Sequence, residues 1–333
     1  MLSAIKFLAG TLAWLMAFAC AAWATGGLFF DLPNTALRTA AAAAFVLVLL
    51  AAVVFVRGKT RKLLSILGAV ALVALWWLTL KPSNTRPWQP DVAQTAWAEI
   101  DGDLVTLHNV RNCGYRTETD YTPHWETRTV QLSQITGLDL AINYWGSPYM
   151  AHPIASFQFA DAPPLCFSIE TRKEIGESYS AIGGLYRQYE LIYVCADERD
   201  VIRVRTNYRH GEIVYLYHLS VSPAQARERF LEYLKTLNSL HTSPRWYNAA
   251  TTNCTTSIRA QHPTNKCTPW DWRILVNGKG DELLFDRHLI ATGGLPFSEL
   301  KRRSRINEHA RAADRDPDFS SRVREGVPGF IRQ

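Results

Sequence analysis

The residues best suited to chemistry lie in Tyr247-Asn-Ala-Ala-Thr-Thr-Asn253-Cys254-Thr-Thr-Ser-Ile258-Arg259. The stretch reads as a loop that becomes a helix at its cysteine, with Thr252 or Asn253 as N-cap accepting an amide of the first turn. There the helix dipole and unpaired N–H groups favour negative charge, which lowers a thiol pKa and populates the thiolate. A thiolate with a histidine from elsewhere in the fold can attack an ester or amide carbonyl. The amide of Cys254 and the neighbouring Asn253 would face the oxyanion, and Tyr247 could orient oxyanion or substrate, although a packing role suits that ring as well. A small buried cysteine at a polar helix start is the plain alternative.

A general base must be chosen from nine histidines. His241, His262 and His309 fall at or near helix ends or on a basic helix, and His108 and His218 within strand patterns. His152, in Met150-Ala-His-Pro153, immediately precedes a strand and can face a neighbouring helix start. In Cys166-Phe-Ser168-Ile-Glu170-Thr-Arg172 the two-residue period puts Ser168, Glu170 and Arg172 on one face. Glu170 could accept the far N–H of His152, or simply pair with Arg172 or Arg203. The six cysteines include no C-x-x-C pair, so neither a zinc ribbon nor a thioredoxin motif is expected, and no metal or other cofactor is called for. Five cysteines follow the apolar region, an odd number. Cys254 is expected to be free, and Cys166 with Cys195 is the most plausible bridge.

Three apolar runs, roughly 5–30, 39–56 and 63–80, open the chain. Each is close to the length of about 20 residues that a helix needs to cross a bilayer. Arg57-Gly-Lys-Thr-Arg-Lys62 marks the second connection as cytoplasmic, and Lys6 puts the N-terminus on the same side, so all that follows the third run is expected outside an inner membrane. Lys6, the apolar run and Ala22-Trp-Ala24 also fit a cleavable signal peptide, which would leave the same final topology. The net charge of +6 suits an anionic membrane surface, and no nucleic-acid motif accompanies it.

The division expected is therefore a membrane region (1–81), a proline-spaced juxtamembrane linker (82–97) and a periplasmic domain (98–333). In that domain strand patterns run over 104–110, 154–159, 165–170, 190–195, 201–205 and 213–219, with 115–125 as a long loop. Ser222-Pro-Ala-Gln225 opens a capping-box helix, Thr268-Pro269 starts a short one that Gly278 can end, 298–313 reads as a basic surface helix, and the rest is a polar tail. Closely spaced strands followed by helices predict an α+β fold with a mainly antiparallel sheet.

The ordered set Ala151-His152, Ser156-Phe157, Ser168-Ile-Glu170, Arg172, Gly176-Glu177, Tyr179, Tyr189-Glu190, Tyr193, Asp200 to Arg205, Tyr215, Tyr217, Tyr247-Asn248 and Asn253-Cys254-Thr-Thr resembles the bacterial Lnb N-terminal periplasmic domain family, from about Trp97 to Ser321. The resemblance implies a permuted papain-like or NlpC-like fold with His152 and Glu170 before Cys254. It also implies a membrane-proximal cysteine enzyme working through an acyl-thioester, with lipoprotein or phospholipid acyl groups as substrates and membrane lipids as partners. A peptidoglycan amidase or endopeptidase using the same pair, or a non-catalytic scaffold, would be consistent with the same residues.

Overall fold

The computed structural model describes residues 2–252, 271–274 and 277–330. By contact density the chain divides into two units: 1–83 with 178–190 and 246–249, and 84–177 with 191–245 and 250–333.

The first unit holds three helices, α1 (Leu2–Asp31), α2 (Thr35–Phe55) and α3 (Lys59–Thr79), each long and apolar enough to cross a membrane. Their large side chains are mostly exposed, as a lipid-facing surface requires. Asn34 caps α2 by accepting from the amides of Ala36 and Leu37. Ala24, Phe45, Val70 and Val73 form a small shared core. The loop 178–190 packs in the same unit: Tyr186 stacks on Phe30 at 5.2 Å, and the Arg187 guanidinium lies 3.6 Å from the centre of the Trp77 ring.

The second unit is built on a sheet with strand order β1 (Trp97–Asp101), β2 (Leu104–Arg111), β9 (Glu190–Asp197), β8 (Leu165–Arg172), β7 (Ala151–Phe159), β6 (Ile135–Tyr144) and β10 (Ile213–His218), while β5 (Trp125–Gln131) pairs with β2. The registered pairs β1–β2, β2–β5, β6–β7, β6–β10 and β7–β8 are antiparallel, and β2–β9 is parallel. The α+β class is that expected from the sequence.

One face of the sheet receives α5 (Pro223–Thr242), whose capping box is the one read from Ser222 and Gln225. Phe230 and Tyr233 pack there against Phe157 and Phe167, with ring centres 5.0 to 5.8 Å apart. Against the other face lie α4 (Glu198–Val201), a π-helical turn (Val204–Tyr208), and residues from α8 (Asn307–Ala312) onward, with Val201, Ile202, Ile306, Ala310, Phe319, Val323 and Val327 buried on Ala141, Ile154, Val194 and Leu216.

Four local expectations are corrected. Residues 201–205 are helical, not a strand: Asp197 caps the turn at the Arg199 amide, and a run of five residues cannot separate a period of 2 from one of 3.6. Within the expected loop, Gly114–Tyr115 (β3) and Tyr121–Thr122 (β4) form a small ladder. The basic helix is broken into α7 (Phe297–Arg303) and α8, and it is no solvated surface element, because Leu300, Ile306 and Ala310 are buried. The polar tail contains α9 (Phe319–Arg322) and supplies Phe319, Val323 and Val327 to the core. The helix start expected at Thr268-Pro269 lies outside the described residues. Beyond it, α6 (Gly280–Asp286) follows the expected stop at Gly278.

Candidate functional site

Antiparallel registry arranges the helix-covered face of the sheet in rows. The first runs Val214, Asn143, His152 across β10, β6 and β7, and the β7–β8 register continues it to Glu170. The next runs Leu216, Ala141, Ile154, Ser168, and a third runs His218, Asp139, Ser156, Cys166. The apolar middle of the second row separates two polar groups.

In the first row, His152 Nε2 and Ser168 Oγ are 2.7 Å apart, and Ser168 Oγ donates to Glu170 Oε1 at 2.7 Å. The expected direct bond from Glu170 to the ring is not formed, since Glu170 Oε1 lies 3.9 Å from Nε2 and Ser168 bridges the gap. Arg205, on the π-helical turn, donates to the same Glu170 oxygen at 3.0 Å, and its second amino group lies 3.6 Å from Glu212. Arg172, offered from the sequence as a partner for Glu170, instead bonds the carbonyls of Val92 and Ala93 and the Asn84 side chain.

Electrostatics fixes the protons in this relay. Burial alone would raise the Glu170 pKa, but the charge of Arg205, aided by His152 and Arg111, holds the carboxyl well below its ordinary range. An ionised Glu170 only accepts, so the Ser168 hydroxyl proton points to it. The Ser168 oxygen must then accept from His152 Nε2–H, which leaves the lone pair of the ring on Nδ1. That nitrogen makes no hydrogen bond to any described residue. Burial, followed by the positive charge of Arg205, pushes the His152 pKa down to about 3, so the ring is neutral in this environment. Its Nδ1 is therefore unprotonated, and it can take up a proton only with a developing anion beside it to offset that burial and charge.

Other groups around His152 are underpaired. Asn143 has no accessible surface, yet its Oδ1 and Nδ2 have no partner among the described residues, and Arg205 Nε is likewise buried without one. Ser168 had been seen only as a face-mate of Glu170. Arg205 was hidden by the strand reading, and Asn143 lies on the polar side of a strand whose apolar alternation, Leu138, Leu140 and Ile142, marks only the other face.

Of the remaining site candidates, Tyr247 lies in the first unit, buried, with its ring 3.3 Å from where a side chain on Gly184 would begin and its amide bonded to the Tyr189 carbonyl at 2.9 Å. Asn253 and Cys254 lie outside the described residues, as does Cys267. The proposed bridge is overturned: Cys166 and Cys195, like Cys113, are free thiols. Cys166 sits in the core with Val194 and Ala196, and Cys195 falls between those two on its strand, so it points to the opposite face. Burial raises both thiols, that of Cys195 to about 12.

Three other histidines have structural partners. His108 stacks on Trp97 at 4.0 Å, His241 bonds the Thr95 hydroxyl, and His218 bonds Asp139 at 2.7 Å. Among the described residues, no group of three or more His, Cys, Asp or Glu side chains is arranged to hold a metal.

Three membrane-length helices and an α+β domain with a buried His–Ser–Glu relay define a membrane protein with a folded extramembrane domain. Residues 121–278 match the family model of the Lnb N-terminal periplasmic domain. The match spans His152, Ser168, Glu170, Tyr247 and Cys254, and over it the resemblance read from the sequence is shown. The domain is accordingly periplasmic and membrane-associated. No curated protein and no solved structure matches the chain.

Proposed function

We propose that the periplasmic domain is a cysteine-dependent acyltransferase or hydrolase in which His152 is the general base for Cys254. The observation that carries this reading is the relay from Arg205 through Glu170 and Ser168, which supports one tautomer and leaves Nδ1 as the acceptor. The Cys254 thiol proton passes to Nδ1 while sulfur bonds to an ester or amide carbonyl carbon. The Cys254 amide, with Asn253, receives the oxyanion. Collapse breaks the bond to the alcohol or amine, which leaves with the proton from His152, and an acyl-thioester remains. Water or an amine then takes the acyl group by the same steps in reverse order. Glu170 is a positioning residue, because Ser168 stands between it and the ring.

The proposed orientation places the N-terminus and the 57–62 loop in the cytoplasm, where the positive charge of that loop belongs. An acyl group drawn from membrane phospholipid or lipoprotein fits a domain anchored by its own helices.

The test is the rate of Cys254 alkylation against pH in full-length protein, together with intact mass for an acyl adduct on that residue. The parent is expected to react well below the ordinary thiol range of about 8.5. His152→Ala should lower acyl turnover by about 100- to 10,000-fold and move the alkylation profile upward. An ordinary thiol profile in the parent, unchanged in His152→Ala, would sink the proposal in favour of a scaffold.

A further inference from the structure

The loop 178–190 connects β8 to β9 in the chain but packs with the membrane helices. Its basic residue Arg187 is fastened to their ends: its amide donates to Asp31 at 3.0 Å, and its guanidinium donates to the carbonyls of Trp77 and Leu80 at 2.6 and 3.1 Å. Asp31 also accepts from the Trp77 indole at 2.7 Å. The C-terminal ends of α1 and α3 are therefore at one side of the bilayer. Since α3 leads into the periplasmic domain, that side is the periplasmic one.

Depth follows from helix geometry. The apolar span of α1 runs over 28 residues, Ala4–Asp31. At about 1.5 Å per residue it is about 42 Å long, enough for the hydrocarbon core and both headgroup layers. Tyr186 meets α1 at Gly26, where a Cβ would come within 2.0 Å of the tyrosine oxygen, so glycine is required for the approach. Gly26 is five residues below Asp31, or about 7.5 Å, near the boundary of headgroups and acyl chains, where tyrosine and tryptophan concentrate. Beside Tyr186, the loop exposes two large apolar side chains, Ile182 at 61% and Leu185 at 50%.

We propose that this loop is an interfacial element and that Ile182 and Leu185 lie in the periplasmic leaflet, among the first carbons of phospholipid acyl chains. The lipid surface is the occupant because the residues beside the patch, Gly183 and Tyr186, lie against Phe30 and Gly26 of the membrane-length helix α1, which sets its depth. The same loop carries the segment that leads to Cys254. The Ala249 amide donates to the Gly184 carbonyl at 2.7 Å, the Asn248 side chain to the Leu185 carbonyl at 3.2 Å, and Glu190 bridges to Trp246. On the acyl-transfer reading above, the loop couples contact with lipid to the approach of the nucleophile.

The test reads contact with lipid and needs no enzymatic activity. Full-length protein carrying p-benzoylphenylalanine at Ile182, at Leu185, or at the exposed Ile100 is placed in phosphatidylethanolamine–phosphatidylglycerol nanodiscs, irradiated and weighed intact. The two loop positions should each give a lipid-mass adduct in several-fold higher yield than Ile100. Equal yields at all three, or an adduct only with a second protein chain, would overturn the proposal. Because adduct yield does not depend on Cys254, the membrane contact and the acyl-transfer reading can fail separately.

Discussion

One face of the sheet carries two buried polar groups that differ in how completely they are paired. Around Asp139, Arg324 donates to Asp139 at 2.7 and 2.9 Å and to Glu198 at 2.6 and 2.9 Å, Ser156 donates to Glu198, and His218 bonds the second Asp139 oxygen. None of these side chains has a buried polar atom without a partner. Two rows away, around His152, the Asn143 amide, Arg205 Nε and Glu212 Oε2 are buried without a hydrogen bond among the described residues. A closed network holds elements together, whereas an open one retains hydrogen-bonding capacity that stability alone would have eliminated. The difference separates a staple from a candidate site.

The largest effect that would break this comparison is at the staple. Arg324→Met leaves two buried carboxylates without their cation and should cost about 3–5 kcal/mol in denaturant unfolding of the full chain. A loss below about 1 kcal/mol would mean that this network is not structural.

Acid sharpens the comparison at the site. His152 is held neutral with its pKa near 3 when folded, against about 6.5 when unfolded, so between those values the unfolded chain binds the extra proton. Stability should therefore fall as pH drops below about 6.5, by up to about 1.4 kcal/mol per pH unit. Glu170, with its folded pKa depressed, adds a further loss below about 4.3. Unfolding midpoints at pH 7, 6 and 5 should show this slope in the parent and a shallower one in His152→Gln. Identical slopes would remove His152 from the account.

The smallest effect is at Asn143. Asn143→Leu replaces an unpaired buried amide with apolar volume and should raise stability by about 1–2 kcal/mol while lowering acyl turnover. A loss of stability would show that the amide is paired after all.

Much of this was legible because local rules and tertiary outcome agree. The apolar runs, the Ser222 capping box and the alternation of 165–172 each suffice alone. Strand β6 was not read, for the same reason that it matters. Leu138, Leu140, Ile142 and Tyr144 do alternate at the strand period, but the opposite face, Asp139, Ala141 and Asn143, is buried as well, and the Asp139 charge is met by a residue from the end of the chain. Similarly, Ser168 could be placed on the correct face, but the 3.9 Å between Glu170 and the ring depends on strand spacing and side-chain reach, which sequence does not encode locally.

The position of Arg324 in the chain also imposes an order on assembly. The sheet strands all precede residue 219, yet Asp139 and Glu198 obtain their shared cation only from residue 324. While the chain emerges from its N-terminus onward, the face bearing His152 holds two uncompensated carboxylates until nearly the whole domain has been delivered across the membrane. Completion of that face is thus a late, post-export event, and a chain stopped just short of Arg324 would present every residue of the relay on a sheet whose last covering segment lacks its ionic anchor.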